Sequence, residues 1–332
     1  MDHVVKNCGD WPGRRCAQAL AFLLLFISFL PAALTAQAPD QTSDMERPVP
    51  VLTGNAGFFT NVNGGETQLV PEINPVLLLP LGDRWLVESR AEFIGEFERP
   101  EGGGAYAGKV EQEINYLQVD YIANKYLTVT AGRFLTPFGI YNERLYPIWI
   151  RSLQPTPLIF PLGTGSSDGA MLRGGFSLNP KVNLNYAAYF STLSTVNTSN
   201  AFGFHFAWQP TALPLNLRSE YARSHDGSGY WIEGAYRLSQ VPFWRKALRR
   251  TEVVGRAQQL FAGEISPADA AEYGLPDVNT RQGDFGLNYY LRDGLKAAAS
   301  YSRRFNSDGD VNLWTVGIAY RFAFPLGRMG PR

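Results

Sequence analysis

The sequence predicts an all-β chain, a transmembrane antiparallel up-and-down β-barrel of about 14 strands (roughly 12 to 16). Three observations carry this: segments that alternate with one wholly apolar face, a secretory-type amino terminus, and connections that are alternately long and short. The segment 311–324, VNLWTVGIAYRFAF, shows the first. Trp314, Val316, Ile318, Tyr320, Phe322 and Phe324 share one parity, and Thr315, Gly317, Ala319 and Arg321 the other. Successive strand side chains point to opposite faces, so one face is apolar with aromatics at both ends while the other carries small groups and a charge. A lipid-facing exterior around a wet interior asks for that division.

The alternation recurs along the chain. In the third candidate strand Trp85, Val87, Ala91, Phe93 and Phe97 oppose Glu88, Arg90, Glu92, Glu96 and Glu98, and in the eighth Phe202, Phe204, Phe206 and Trp208 oppose Gly203, His205 and Ala207. The seventh sets Val182, Leu184, Tyr186 and Phe190 against Lys181, Asn183 and Asn185. In the twelfth, Phe285, Leu287, Tyr289 and Leu291 oppose Asn288 and Arg292. A charged row turned to a dry core would cost several kcal/mol per unpaired group, a cost that a watery lumen removes. The fourth and eleventh strands are mixed.

At the amino terminus Lys6, Arg14 and Arg15 precede an apolar run over 19–30, then Pro31 and small residues through Ala36. That order reads as a signal peptide, 1–36, cleaved after Ala36; the run is short for an uncleaved spanning helix. Both cysteines, Cys8 and Cys16, fall inside it, so the mature chain has no disulfide and no cysteine metal site. Its removal takes three of the 30 basic and two of the 30 acidic residues, leaving a net charge of about −1 and no case for nucleic-acid binding. Residues 37–50 are polar and proline-rich and read as a flexible periplasmic segment. No later segment is a candidate spanning helix, so a membrane crossing has to be made by strands.

Candidate strands cover 51–60, 70–80, 84–98, 109–121, 125–134, 168–177, 181–190, 201–209, 214–223, 229–238, 251–261, 281–291, 294–305 and 311–324. Even-numbered connections are short, with turn chemistry at Gly82-Asp83, Asn124-Lys125, Asn179-Pro180 and Asp293-Gly294. Odd-numbered ones are longer, as barrels with short periplasmic turns and long external loops require. Two features resist. The stretch 239–250, with Trp244, Arg245, Lys246, Arg249 and Arg250, is long for a short-turn position and reads as a solvated loop or a short basic amphipathic helix. The second strand contains Pro71 and Pro75, each lacking a ladder donor. The barrel is expected over 51–324, with 325–332 as a carboxyl-terminal extension.

The third long connection, 135–167, is proline-rich and aromatic, with Pro137, Phe138, Tyr141, Tyr146, Trp149, Phe160 and Pro161, and it carries Glu143, Arg144 and Arg151. So apolar a loop is unsuited to open water and is expected to pack on the lumen wall. Here the chain resembles outer-membrane porins: AGRFLTPFGIYNE, 131–143, is similar to a strand-to-loop passage of the phosphate-selective porin O/P type. The resemblance implies that 135–167 folds inward as the pore constriction. The loop lacks that group's lysine cluster, so phosphate selectivity is not implied. The alternating terminal strand also resembles the outer-membrane assembly signal, which implies the barrel-assembly machinery as a partner, although eight residues follow Phe324.

Catalytic chemistry finds little footing. The mature histidines are His205 and His225; SHDGSG, 224–229, holds the parts of a hydrolytic site but reads as a glycine-rich turn. Ser266-Pro267 opens a capped short helix in an external loop. No catalytic, metal or cofactor site is expected. The expectation is a non-enzymatic, Gram-negative outer-membrane channel for passive diffusion of small hydrophilic solutes or ions. Glu143, Arg144 and Arg151 would sit at the constriction, with Glu88, Arg90, Glu92, Arg218, Glu220, Glu233, Arg256 and Arg321 as wall groups. The alternative is a plugged barrel with a surface binding or structural role. Outer-membrane lipid is the expected surrounding; monomer and homo-oligomer both stay open.

Overall fold

The computed structural model describes residues 49–99, 103–163, 165–179, 182–194, 201–210, 212–307 and 309–327. They form one antiparallel sheet of 14 strands. In chain order these are β1 (Val51–Asn63), β2 (Glu66–Leu81), β3 (Trp85–Arg99), β4 (Ala107–Asn124), β5 (Leu127–Leu135), β6 (Ser166–Asn179), β7 (Val182–Ser194), β8 (Phe202–Trp208), β9 (Leu215–Arg223), β10 (Gly227–Arg237), β11 (Thr251–Ala262), β12 (Thr280–Arg292), β13 (Leu295–Phe305) and β14 (Val311–Pro325). Each candidate strand is present.

Chain neighbours pair throughout, and β1 pairs with β14 from Val51 opposite Pro325 to Asn63 opposite Leu313. Sheet order therefore runs from β7 back through β1, across to β14, and down to β8. Inward side chains of β1, β3, β4 and β9 through β14 all reach the connection between β5 and β6. The sheet thus wraps around that connection as a barrel, and the connection and the wall together form its buried apolar core. The outer surface is the reverse of a soluble protein's: Phe58, Ile73, Phe204, Ile232, Phe285, Trp314 and Ile318 are all exposed.

Local irregularities explain the segments that resisted. In β2 the ladder to β1 is continuous, but the ladder to β3 skips Val70-Pro71 and Asn74-Pro75. The prolines' missing donors are thus accommodated on the β3 side, where pairing lapses. In β4 a bulge at Asn115 lies between the pairs Arg90 with Tyr116 and Ala91 with Ile114. One extra residue reverses the faces, so Leu117 and Val119 share an outer row with Ile114 and Val110, and no single parity describes the strand. In β11 Val254 and Leu260 are buried inside the barrel, because the β5–β6 connection rests on them.

The stretch after β10 contains a 3-10 turn over Leu238–Gln240 and one turn of α-helix, α1 (Arg245–Leu248). The external helix is present as α2 (Pro267–Tyr273), where Ser266 Oγ accepts the Asp269 N–H at 3.1 Å and Gly274 ends it in the left-handed conformation. Strand β14 runs one residue beyond Phe324, and the Leu326 N–H donates to the Pro50 carbonyl at 2.7 Å. The signal segment, residues 37–48 and the end of the chain from 328 lie outside the described residues.

Candidate functional site

The connection between β5 and β6 cannot make a ladder of its own. Pro137, Pro147, Pro155, Pro157 and Pro161 each remove a backbone donor, and the carbonyls left over need partners wherever the segment is buried. The barrel wall supplies them. Lys296 Nζ on β13 donates to the carbonyls of Arg151 at 2.6 Å, Trp149 at 3.0 Å and Ile148 at 3.4 Å. Asn288 on β12 donates to the Ser152 carbonyl at 2.8 Å, and Arg256 on β11 to that of Pro155 at 2.9 Å. Gln258 Oε1 accepts the Leu158 N–H at 2.8 Å.

The opposite side is tied by Tyr146. Its hydroxyl donates to Glu92 Oε2 at 3.2 Å and accepts from Asn115 Nδ2 at 2.9 Å, while the Arg90 guanidinium lies 4.5 Å from its ring centroid. The bulge at Asn115 thus turns this amide inward to meet the loop. Burial holds the Tyr146 phenol well above the ordinary tyrosine range, Glu92 adding to the effect, and it does the same for Tyr141. Both stay protonated phenols at neutral pH; the Tyr146 hydroxyl is hydrogen-bonded and the buried Tyr141 hydroxyl has no partner among the described residues.

Apolar seating complements the polar ties. Ile140, Tyr141, Leu145, Leu158, Ile159 and Leu162 pack against Ala222, Trp231 and Leu260 of the wall, Ile148 against Phe59 and Ala319, and Leu153 against Ala235 and Val254. Where the approach is closest the wall residue is glycine. A Cβ at Gly57 would overlap Ile148, one at Gly229 would overlap Ile159, and one at Gly286 would overlap Leu153.

Gly139 is the most constrained loop position. Its φ is +78°, and a Cβ there would strike the Glu220 carboxylate, whose Oε2 accepts the Ile140 N–H at 3.2 Å. Gly139→Ala should therefore combine left-handed backbone strain of about 1–3 kcal/mol with a displaced carboxylate. The expected result is faster proteolysis within 138–163 while the strands remain protected.

The structure divides the residues singled out from sequence into groups. Arg218, Glu233 and Arg256 form one buried network with Asp284: Arg218 to Glu233 is 3.4 Å, Arg256 to Glu233 3.9 Å and Arg256 to Asp284 2.8 Å. Arg90 and Glu92 are 3.6 Å apart beside Tyr146. Glu220 holds the turn at Gly139. Glu88 is separate, accepting from Gln118 at 3.3 Å, and Arg321 lies near the Trp149 ring, 5.8 Å from its centroid. In the loop, Arg151 donates to the carbonyls of Leu145 at 3.2 Å and Tyr146 at 2.6 Å, so its charge braces the loop itself. Arg144 is exposed. The side chain of Glu143 lies outside the described part.

Sequence reasoning placed Asn288 on the inward face without a role, and missed Lys296, Gln258 and Asp284. Their parity opposite Leu295, Ala297, Phe285 and Leu287 marks them as inward, yet nothing in it tells that they grip a loop. It also missed a second polar cluster, away from the loop's main seat. Arg133 bridges Glu113 at 3.1 Å and Asp168 at 3.8 Å, and Arg173 meets Asp120 at 2.9 Å, with Thr130 donating to Asp120 and Gln118 doing so at 3.0 Å.

Chemically the arrangement is a fixed polar surface. Among the described residues no group of three His, Cys, Asp or Glu is placed to hold a metal ion, and Asp226 and Ser224 form a turn in which the Asp226 N–H donates to Ser224 Oγ at 3.1 Å.

No protein-family model and no characterised protein matches the chain by sequence. Solved structures that it resembles include a loop L8 deletion mutant of OmpT, an outer membrane protein of Vibrio cholerae, at 9% identity over 83% of this chain and 100% of that one, with a TM-score of 0.49. Pseudomonas aeruginosa OccK5 (OpdH) aligns at 9% identity over 83% of this chain and 98% of that one, with a TM-score of 0.48. The low-pH structure of Pseudomonas putida OprB aligns at 11% identity over 82% and 93%, with a TM-score of 0.46.

Proposed function

We propose that this chain is an outer-membrane channel, exported by its signal segment, through which small hydrophilic solutes or ions diffuse passively. The observation that carries this reading is a contrast between two sides of the lumen. Under the loop, Arg256 and Asp284 are 2% and 0% exposed. On the β4–β6 side, Glu113 is 57% exposed and Arg173 43%. The loop closes one side of the barrel and leaves a charged lane along the other. The short-turn rim is the periplasmic one, and the apolar outer belt is covered by lipid.

Steric sieving and electrostatic filtering are the mechanism, with no covalent step. Arg151 is committed to the loop backbone, so Arg144 is the better placed of the two to act on a solute. Near the long-loop mouth, the inward Glu96, Glu98, Glu111 and Glu113 outweigh Lys109 and the Arg133 that bridges Glu113, and the lane favours cations. Glu113→Lys combined with Glu111→Lys should move the reversal potential in a salt gradient toward the anion side; an unchanged potential would remove the lane assignment.

Planar-bilayer recording of the purified protein tests the reading as a whole, with discrete conductance steps expected. A plugged barrel is the second reading, favoured by the loop's ties around most of the wall, and the absence of steps at moderate voltage would select it. The terminal strand as a signal to the assembly machinery belongs to the same proposal.

A further inference from the structure

The β10–β11 turn lies on the short-turn rim, beyond the lane and the loop. It is pinned on both sides: Gln240 Nε2 donates to the Ala212 carbonyl at 2.9 Å, and Arg250 Nη1 donates to the Leu291 carbonyl at 3.0 Å. Between these ties the chain exposes Phe243 and Trp244, the latter at 81%. Trp244 sits at φ 47°, ψ 37°, the one non-glycine residue at positive φ among the described residues. Bulky side chains rarely adopt that conformation, and here it projects an indole away from the protein. Helix α1 follows at once, and Arg245, Lys246, Arg249 and Arg250 are all exposed. None of the four makes an ion pair among the described residues; the acid on the adjoining turn is Asp293, also exposed. The apolar neighbours Leu213 and Leu291 are exposed beside them.

An unpaired cation cluster next to an outward indole and phenyl, at the edge of an apolar belt, matches the boundary between acyl chains and phosphate headgroups. We propose that this turn is a binding site for the headgroup of an anionic phospholipid. Phe243 and Trp244 enter the boundary layer, and Arg245, Lys246, Arg249 and Arg250 hold the phosphate and its negative charge. The proposal rests on the membrane reading and is independent of whether the lumen conducts.

The test has two arms. In the first, wild type and the Arg245→Gln/Lys246→Gln/Arg249→Gln/Arg250→Gln variant are folded into phosphatidylcholine vesicles, and both should insert. In the second, fluorescent phosphatidylglycerol is titrated into each protein in neutral micelles, with a phosphatidylcholine analogue as control and inorganic phosphate as competitor. Each neutralised cation should lower phosphatidylglycerol affinity about fivefold, and the quadruple variant about 100-fold or more. Phosphatidylcholine binding should stay unchanged, phosphate should compete poorly, and Arg281→Gln with Arg303→Gln at the far rim should have no effect. Trp244→Ser should weaken both lipids. Insertion of both proteins with equal phosphatidylglycerol affinity would overturn this site alone, as would full displacement by inorganic phosphate. Failure of wild type to insert would overturn the membrane reading and the site with it.

Discussion

Replacing residues 138–163 with a short glycine-serine link should widen the passage severalfold while leaving the sheet intact, giving larger single-channel steps that scale with bulk-solution conductivity. The loop contributes half of the clustered buried apolar side chains, and its removal hands that volume to water. The wall residues then exposed, among them Glu233, Arg256, Asp284 and Lys296, are polar enough to line a wet lumen. Strand pairing does not pass through the loop, since β5 and β6 pair directly from Leu135 opposite Ser166 downward. Steps of unchanged size would mean that the loop does not set the narrowest section.

Lys296→Met should unseat the loop without deleting it. One ammonium group serves three carbonyls at 148, 149 and 151, in a position with no solvent exposure. Each buried carbonyl left without a donor costs about 1–3 kcal/mol, and water entering beside the shorter side chain recovers part of that. A net loss of about 3 kcal/mol in the loop's seating is expected, concentrated there because the strand ladders are untouched. The loop should become a protease target, and the channel current should flicker between narrow and wide levels. Lys296→Arg keeps the charge but brings a planar fork to carbonyls spaced for a point donor, so partial rescue is expected.

Much of this architecture was legible because an apolar outer belt and polar contacts inside impose a strict period of two. The parity of β14, of β3 and of β8 all gave the correct outward face. Where reading failed, a physical reason is visible. The bulge at Asn115 reverses the faces of β4 midway, and a pattern of fixed parity cannot express one inserted residue. In β11, Val254 and Leu260 look misplaced until the loop is seated on them, because the wall's inner surface follows its local partner rather than the lumen as a whole. That the connection 135–167 packs on the inner wall was recognisable from its prolines and aromatics. Its fastening was not: Ile140 meets Glu220 across 80 residues and Lys296 reaches Ile148 across 148, and long-range pairs of this kind leave no local periodicity.

On the channel reading solute passes along the β4–β6 wall while the loop seals the side under β10–β12. Its most direct test is single-channel recording of two single-cysteine variants during addition of a bulky charged thiol reagent, in a chain whose own cysteines are Cys8 and Cys16 at the amino terminus. Glu113→Cys, on the open side, should react promptly and step the conductance down. Val254→Cys, fully buried beneath Leu153, should leave the current unchanged over the same period. Prompt block through Val254→Cys with none through Glu113→Cys would contradict the account.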